Sequence, residues 1–243
     1  MRKRITVIIA LIIMILSLGG VLFYFFYAGE AEREFKEMKE NDFDLVALWK
    51  KNNDLVGWIK IPGTGIDYPV MMGENYLHKD FNGEYSESGT PFVQDDWTTE
   101  SKNSLIYGHN MWVQKNMFNP LHKYEDEDYW REHKKGVFYV LMDTPDGGKE
   151  VHEREFSLEH IILTSVNEEI NWQGYINPLT NMDMEPYLEW CGNEEMHESG
   201  LNKPTGYGVV TLCTCSYHIK GNRSAGRLLA VGHIRKVNVP QKY

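Results

Sequence analysis

The sequence predicts a mainly β fold, a closed barrel of short strands with helical insertions. Three observations point there. From Leu55 onward the chain is a series of short apolar and β-branched runs separated by Gly, Pro, Asn and Asp turns. The two strongest runs, 208–215 and 227–234, close the chain. Only a few stretches carry helical spacing, and no repeat or low-complexity segment interrupts the pattern.

The elements follow in order. Residues 1–4, Met-Arg-Lys-Arg, form a basic tail, and residues 5–27 contain no charged side chain. At about 1.5 Å per residue this run is long enough to cross a bilayer core of roughly 30 Å. Its length exceeds a signal-peptide core of about 7–15 residues, and no A-x-A site follows, so an uncleaved anchor is expected. The basic tail should stay cytoplasmic, which puts the rest of the chain outside. Residues 28–54 are charged, with Phe35, Met38, Phe43, Val46, Leu48 and Trp49 marking an apolar stripe. One or two amphipathic helices packed on the next domain are expected, with 30–40 the part closest to a solvated stalk.

Residues 55–243 form the catalytic-domain candidate. Residues 56–61 alternate, 62–65 (Pro-Gly-Thr-Gly) turn, and 66–71 resume as a strand. Further strands are expected near 89–93, 103–107, 136–141 and within 156–166, with a helical stretch inside 117–133 and a helix from 181 to about 199. The acidic tetrad 125–128 reads as a solvated loop or a helix start.

The formal net charge of -10 argues against a nucleic-acid partner. The three cysteines are an odd number, so on the outer side of a membrane one thiol lacks an internal partner. Cys191 lies in a helical stretch and reads as packing. Cys213 and Cys215 share one face of a strand with Cα atoms roughly 6.6 Å apart, which would strain a bridge. There is no C-x-x-C pair, and neither a metal nor another cofactor is expected.

Cys215 ends a β-branched run, His109 follows the 103–107 run, and Arg227 opens the last one. A nucleophile, a proton carrier and a fixed cation at strand ends are what thiol acyl transfer needs. Each candidate has a rival: a buried structural role for Cys215, His218 for His109, and Arg223 for Arg227. Arg227 is favoured because it opens the strand that a barrel would lay against the cysteine strand.

These residues resemble the sortases, membrane-anchored cysteine transpeptidases of Gram-positive bacteria. Thr211-Leu212-Cys213-Thr214-Cys215 is similar to their Thr-Leu-x-Thr-Cys signature, Tyr107-Gly108-His109-Asn110-Met111 to their histidine segment, and Gly226-Arg227-Leu228-Leu229-Ala230-Val231 to their arginine strand. The run from Gly57 to Val70 resembles their opening strands. Asp80-Phe81-Asn82-Gly83-Glu84-Tyr85-Ser86, the N-terminal helices and the long insert before the cysteine strand point to class B. The likeness spans residues 42–234.

The resemblance implies an eight-stranded sortase barrel with an N-terminal helical appendage, and catalytic roles for Cys215, His109 and Arg227. Thr214, Asn110 and Leu105 become candidate substrate-binding residues. The implied substrate is a surface protein with an Asn-Pro-Gln-Thr-Asn-like or other Pro-x-Thr signal, cut after Thr. The acceptor would be an amine of a peptidoglycan cross-bridge or stem peptide. The family has a small residue where Cys213 stands. Some class B members have an acid just after the nucleophile, where this chain has Ser216-Tyr217-His218, so no acidic partner for His109 is evident. A thiol hydrolase using the same three residues and an anchored binding module remain as alternatives. An L,D-transpeptidase is disfavoured because its Ser-His-Gly-Cys pattern is missing.

Overall fold

A computed structural model of the chain describes residues 2–28, 30–40, 44–167, 172, 184–201, 207–217 and 225–239. The first helix, α1 (Arg2–Ala28), includes a stretch, Arg4–Phe23, long and apolar enough to cross a membrane, none of it buried in the protein. Helices α2 (Glu30–Glu40) and α3 (Leu45–Lys51) follow. Asp44 caps α3, its carboxylate accepting from the backbone N–H of Val46 and Ala47 at 3.0 and 3.1 Å. The 30–40 stretch is more than a solvated stalk. Phe35 is buried edge-on against Tyr68, with ring centroids 5.8 Å apart. Phe43 lies outside the described residues.

The barrel strands are β1 (Leu55–Ile61), β2 (Ile66–Met72), β3 (Phe92–Val93), β4 (Asn103–Tyr107), β7 (Lys135–Asp143), β8 (Lys149–Ser165), β9 (Val209–Cys215) and β10 (Gly226–Asn238). A small hairpin, β5 (Asn110–Met111) and β6 (Asn116–Met117), follows β4. The strands close in the order β1-β2-β3-β4-β9-β10-β8-β7. Two of the pairings, β2 with β3 and β4 with β9, are parallel, so the barrel is mixed. The 62–65 turn is held by the Thr64 hydroxyl, which donates to the Ile61 carbonyl at 2.7 Å and accepts from Ile66 N–H at 3.0 Å.

Strand β1 does not alternate in burial, because both its faces are covered. The same holds for Gly226–Ile234 of β10, where only Arg227 is partly open. Helix α3 packs against β1 and β8, and other helices pack against β8. The α4 helix (Glu127–His133), capped by the Asp126 carboxylate, places the Trp130 indole N–H 2.8 Å from the Leu158 carbonyl. The α5 helix (Glu185–Glu194) buries Tyr187, Leu188 and Cys191. It is shorter than the sequence suggested, and residues 181–183 lie outside the described residues. Strand β8 is longer than expected. Its first half, 149–155, is too polar to register as a strand in sequence, and is held by full pairing to β7 and by the end of β10.

Far along β10 from Arg227, two wholly buried histidines meet. The Nε2 atoms of His160 and His233 are 3.0 Å apart, and Glu195 lies 2.5 Å from His160 Nδ1. Burial lowers both pKa values. For His233, His160 and Arg235 add to the effect against Glu159 and Glu195, and its value falls to about 4. The unfolded imidazole titrates at about 6.5, so the unfolded chain binds more protons between the two values. Stability is therefore complete above pH 6.5 and falls as pH drops toward 4, by about 3 kcal/mol for a shift of this size. Thermal unfolding of the chain at pH 7 and pH 4.5 should show this loss, and His233→Leu should flatten it. An unchanged pH profile in that variant would place the acid sensitivity elsewhere.

Candidate active site

The site is built where β4, β9 and β10 end together. Strand β9 lies between β4, in parallel register, and β10, in antiparallel register. Its β-branched and apolar residues 209–213 are wholly buried, which fixes the register. Cys215, its last residue, is half-buried and directly opposite Arg227. Ser216 N–H donates to the Gly226 carbonyl at 3.0 Å, so the next pair out is a hydrogen-bonded one. Cys215 and Arg227 therefore form a non-hydrogen-bonded pair, the geometry that brings opposite side chains closest, with Cα atoms about 4.5 Å apart. The Arg227 guanidinium is braced by a 2.9 Å bond from Nη1 to the Gly226 carbonyl.

Strand β4 delivers His109. Tyr107 pairs with Cys213, and Gly108 N–H donates to the Cys213 carbonyl at 3.0 Å. The Thr214 hydroxyl donates back to the Gly108 carbonyl at 2.8 Å. A Cβ at Gly108 would stand 2.6 Å from the Phe118 ring, so only glycine lets that ring pack under the turn. Phe118 N–H in turn donates to the His109 carbonyl at 2.9 Å. Gly108→Ala should thus displace His109 and cut turnover roughly 100-fold, the scale of a misplacement of about 1 Å. Steady-state kinetics on the folded variant checks this, and wild-type turnover would show that the turn does not set the histidine.

The imidazole of His109 is largely buried, and its pKa is lowered. Desolvation is the main cause, and the His78 ring, 5.3 Å away between centroids, adds to it. The Leu77 backbone carbonyl and the Glu87 carboxylate act the other way. Among the described residues His109 Nε2 has no hydrogen-bond partner. Such a ring is mostly neutral at pH 7 and can accept a proton.

Cys215, His109 and Arg227 line one open cleft of ≈ 300 Å³. Its other walls are Glu74, Leu77, Phe92, Gln94, Tyr107, Gly108, Cys213 and Thr214. Phe92 and Tyr107 stack with centroids 5.4 Å apart, giving the cleft an aromatic side. Cys213 is wholly buried there, and burial pushes its thiol pKa up strongly although the Arg227 charge opposes it. It is a protonated, unreactive thiol at neutral pH. All three cysteines are free thiols.

Two of the substrate-binding candidates are corrected. Leu105 is wholly buried in the barrel wall opposite Thr211 and does not line the cleft. Asn110 does not line it either, because its side chain turns to the backbone carbonyl of Cys215, 2.9 Å away. Thr214 does line the cleft, with its hydroxyl committed to Gly108. His218 and Arg223 lie outside the described residues. Sequence reading missed Glu74, Leu77, Phe92, Gln94 and the histidine neighbours His78 and Glu87. Their segments, the 3-10 turn Glu74–His78 and the stretch 87–94, carry no catalytic pattern that would single them out.

No family model matches the chain. It is 28% identical to sortase B of Listeria monocytogenes, over 79% of this chain and 74% of that protein. It is 24% identical to sortase B of Staphylococcus aureus, over 98% of this chain and 99% of the relative. Its fold is similar to that in the Staphylococcus aureus sortase B–substrate complex, with a TM-score of 0.65 and 22% identity, covering 90% of this chain and 99% of that one.

Proposed function

We propose that the chain is a class B sortase, a cysteine transpeptidase, and that Cys215, His109 and Arg227 carry the transfer of surface proteins onto the cell wall. The observation that most supports this is the convergence of three strand ends. A half-exposed thiol stands directly across from an arginine, in one cleft with a largely buried histidine. His109 takes the thiol proton of Cys215, and the resulting thiolate attacks the Thr carbonyl carbon of a Pro-x-Thr signal. The Arg227 guanidinium, permanently charged, faces the oxygen on which negative charge develops. The Thr–x bond then breaks, His109 gives a proton to the leaving amine, and a thioester remains on Cys215. A cell-wall peptide amine attacks that thioester, His109 takes its proton and passes it to the departing sulfur, and the Cys215 thiol is restored.

Residues 5–27 would anchor the enzyme as a single-pass span, with the basic tail inside and residues 28–54 as a helical link to the catalytic domain of 55–243. The span's apolar, exposed α1 supports this arrangement. A sortase B–substrate complex among the structural neighbours supports a peptide substrate.

A protein beginning at Ala28 should cleave a Pro-x-Thr peptide and, with an added glycyl amine, form the transfer product. The anchor contributes location, and the three side chains supply nucleophile, acid and cation between them. A chelator should leave the rate unchanged, and a thiol alkylator should stop it. Cleavage with no transfer product would favour the hydrolase reading. A chelator-sensitive rate restored by added metal would reveal a metal requirement.

A further inference from the structure

Asn110, Asn119, His122 and Glu125 do not line the cleft, yet their side chains form a hydrogen-bonded chain that ends on the backbone of Cys215. Glu125 Oε1 lies 2.9 Å from His122 Nδ1. His122 Nε2 lies 3.0 Å from Asn110 Nδ2 and 3.1 Å from the Cys215 carbonyl oxygen. Asn110 Nδ2 donates to that same oxygen at 2.9 Å, and Asn110 Oδ1 accepts from Asn119 Nδ2 at 2.6 Å.

The proton inventory of this chain closes. With His122 neutral, Nδ1–H donates to the Glu125 carboxylate and Nε2 accepts one amide hydrogen of Asn110. The second amide hydrogen goes to the Cys215 carbonyl. With His122 protonated, Nε2–H faces the Cys215 carbonyl directly. In both states Glu125 fixes the ring and the Cys215 carbonyl is held.

The strand geometry shows why a carbonyl there needs holding. The parallel β4–β9 ladder includes Gly108 N–H to the Cys213 carbonyl. Two residues further along, a continued ladder would present the Asn110 backbone N–H to the Cys215 carbonyl. The chain leaves the ladder at Gly108–His109, and the Asn110 side-chain amide takes the missing donor's place. The residues on each side of His109 are thereby bonded to the cysteine strand, Gly108 to Cys213 and Thr214, and Asn110 to Cys215.

We propose that His122 and Glu125 are positioning residues for the transpeptidation. Acting through Asn110, they extend the β4–β9 ladder past its end and hold the Cys215 backbone, and so its Sγ, in place beside His109. This inference rests on Cys215 being the nucleophile.

The test uses the full chain in detergent micelles, with a Pro-x-Thr peptide and an amine acceptor. His122→Ala should lower kcat roughly 10- to 100-fold, the scale of a misplaced nucleophile, and leave the peptide KM within about twofold. Glu125→Gln should lower kcat in the same way but less. The His122→Ala, Glu125→Gln double variant should be no slower than His122→Ala alone, because the carboxylate works only through the ring. His122→Gln, whose amide can reach the Nε2 position, should recover most of kcat. Wild-type kcat in His122→Ala, or losses that multiply in the double variant, would overturn the proposal. If His122→Ala shows no cooperative unfolding, Glu125→Gln and His122→Gln decide the matter: wild-type kcat in the first, or no recovery in the second, overturns it. Turnover that survives Cys215→Ala would instead strike at the nucleophile assignment, an outcome separate from all of these.

Discussion

Cys215→Ala should abolish both cleavage and transfer, while Cys213→Ser should keep most of the activity. The two thiols sit in the same cleft but in different surroundings. Cys215 ends its strand half-exposed and pairs across the ladder with Arg227. Cys213 is wholly buried, and desolvation holds its proton on at neutral pH. It also lies roughly 6.6 Å back along the strand, too far for both sulfurs to be aligned with one carbonyl carbon. Loss of a nucleophile with no substitute removes the covalent route, so the effect should reach the detection limit of a peptide-cleavage assay. A dead Cys213→Ser beside an active Cys215→Ala would reverse the assignment.

Arg227→Lys should lower turnover at least about 100-fold, in line with loss of one oxyanion donor. Arg227 has two tasks that a lysine cannot share. Its Nη1 donates to the Gly226 carbonyl at 2.9 Å, which fixes the plane of a guanidinium that stands in the cleft wall. A lysine ammonium keeps the charge but is a point on a flexible stem. Comparing kcat for Arg227→Lys and Arg223→Ala separates the two arginines. Near-normal turnover in the first with a large loss in the second would move the role to Arg223.

Much of this site was legible in sequence because it sits on strands whose register burial enforces. The Val209–Cys213 run reads as a buried strand, and a buried strand ending in cysteine places the thiol at a rim. Arg227 was favoured over Arg223 by the same logic, as the first residue of an apolar strand. The closed barrel followed from the number and spacing of short strands. What sequence did not show depends on long-range pairing. The polar start of β8 is a strand only because β7 and β10 pair with it. The family resemblance makes Asn110 a candidate substrate contact, but the missing donor at the ladder's end draws its amide to Cys215. Leu105 shares a motif with His109, yet a central strand residue opposite Thr211 has nowhere to go but the core. The walls contributed by Glu74, Leu77, Phe92 and Gln94 come from a turn and a two-residue strand, too short to have a period.

In the proposed reaction an acyl group passes through the sulfur of Cys215. The direct measurement is intact-protein and peptide mass spectrometry of the enzyme quenched in acid during turnover of a Pro-x-Thr peptide without an amine acceptor. The mass of the N-terminal peptide fragment should appear as a hydroxylamine-labile thioester on the fragment containing Cys215, discharged when the amine is supplied. Adduct on Cys213 or Cys191, or brisk cleavage with no adduct on any cysteine, would contradict it.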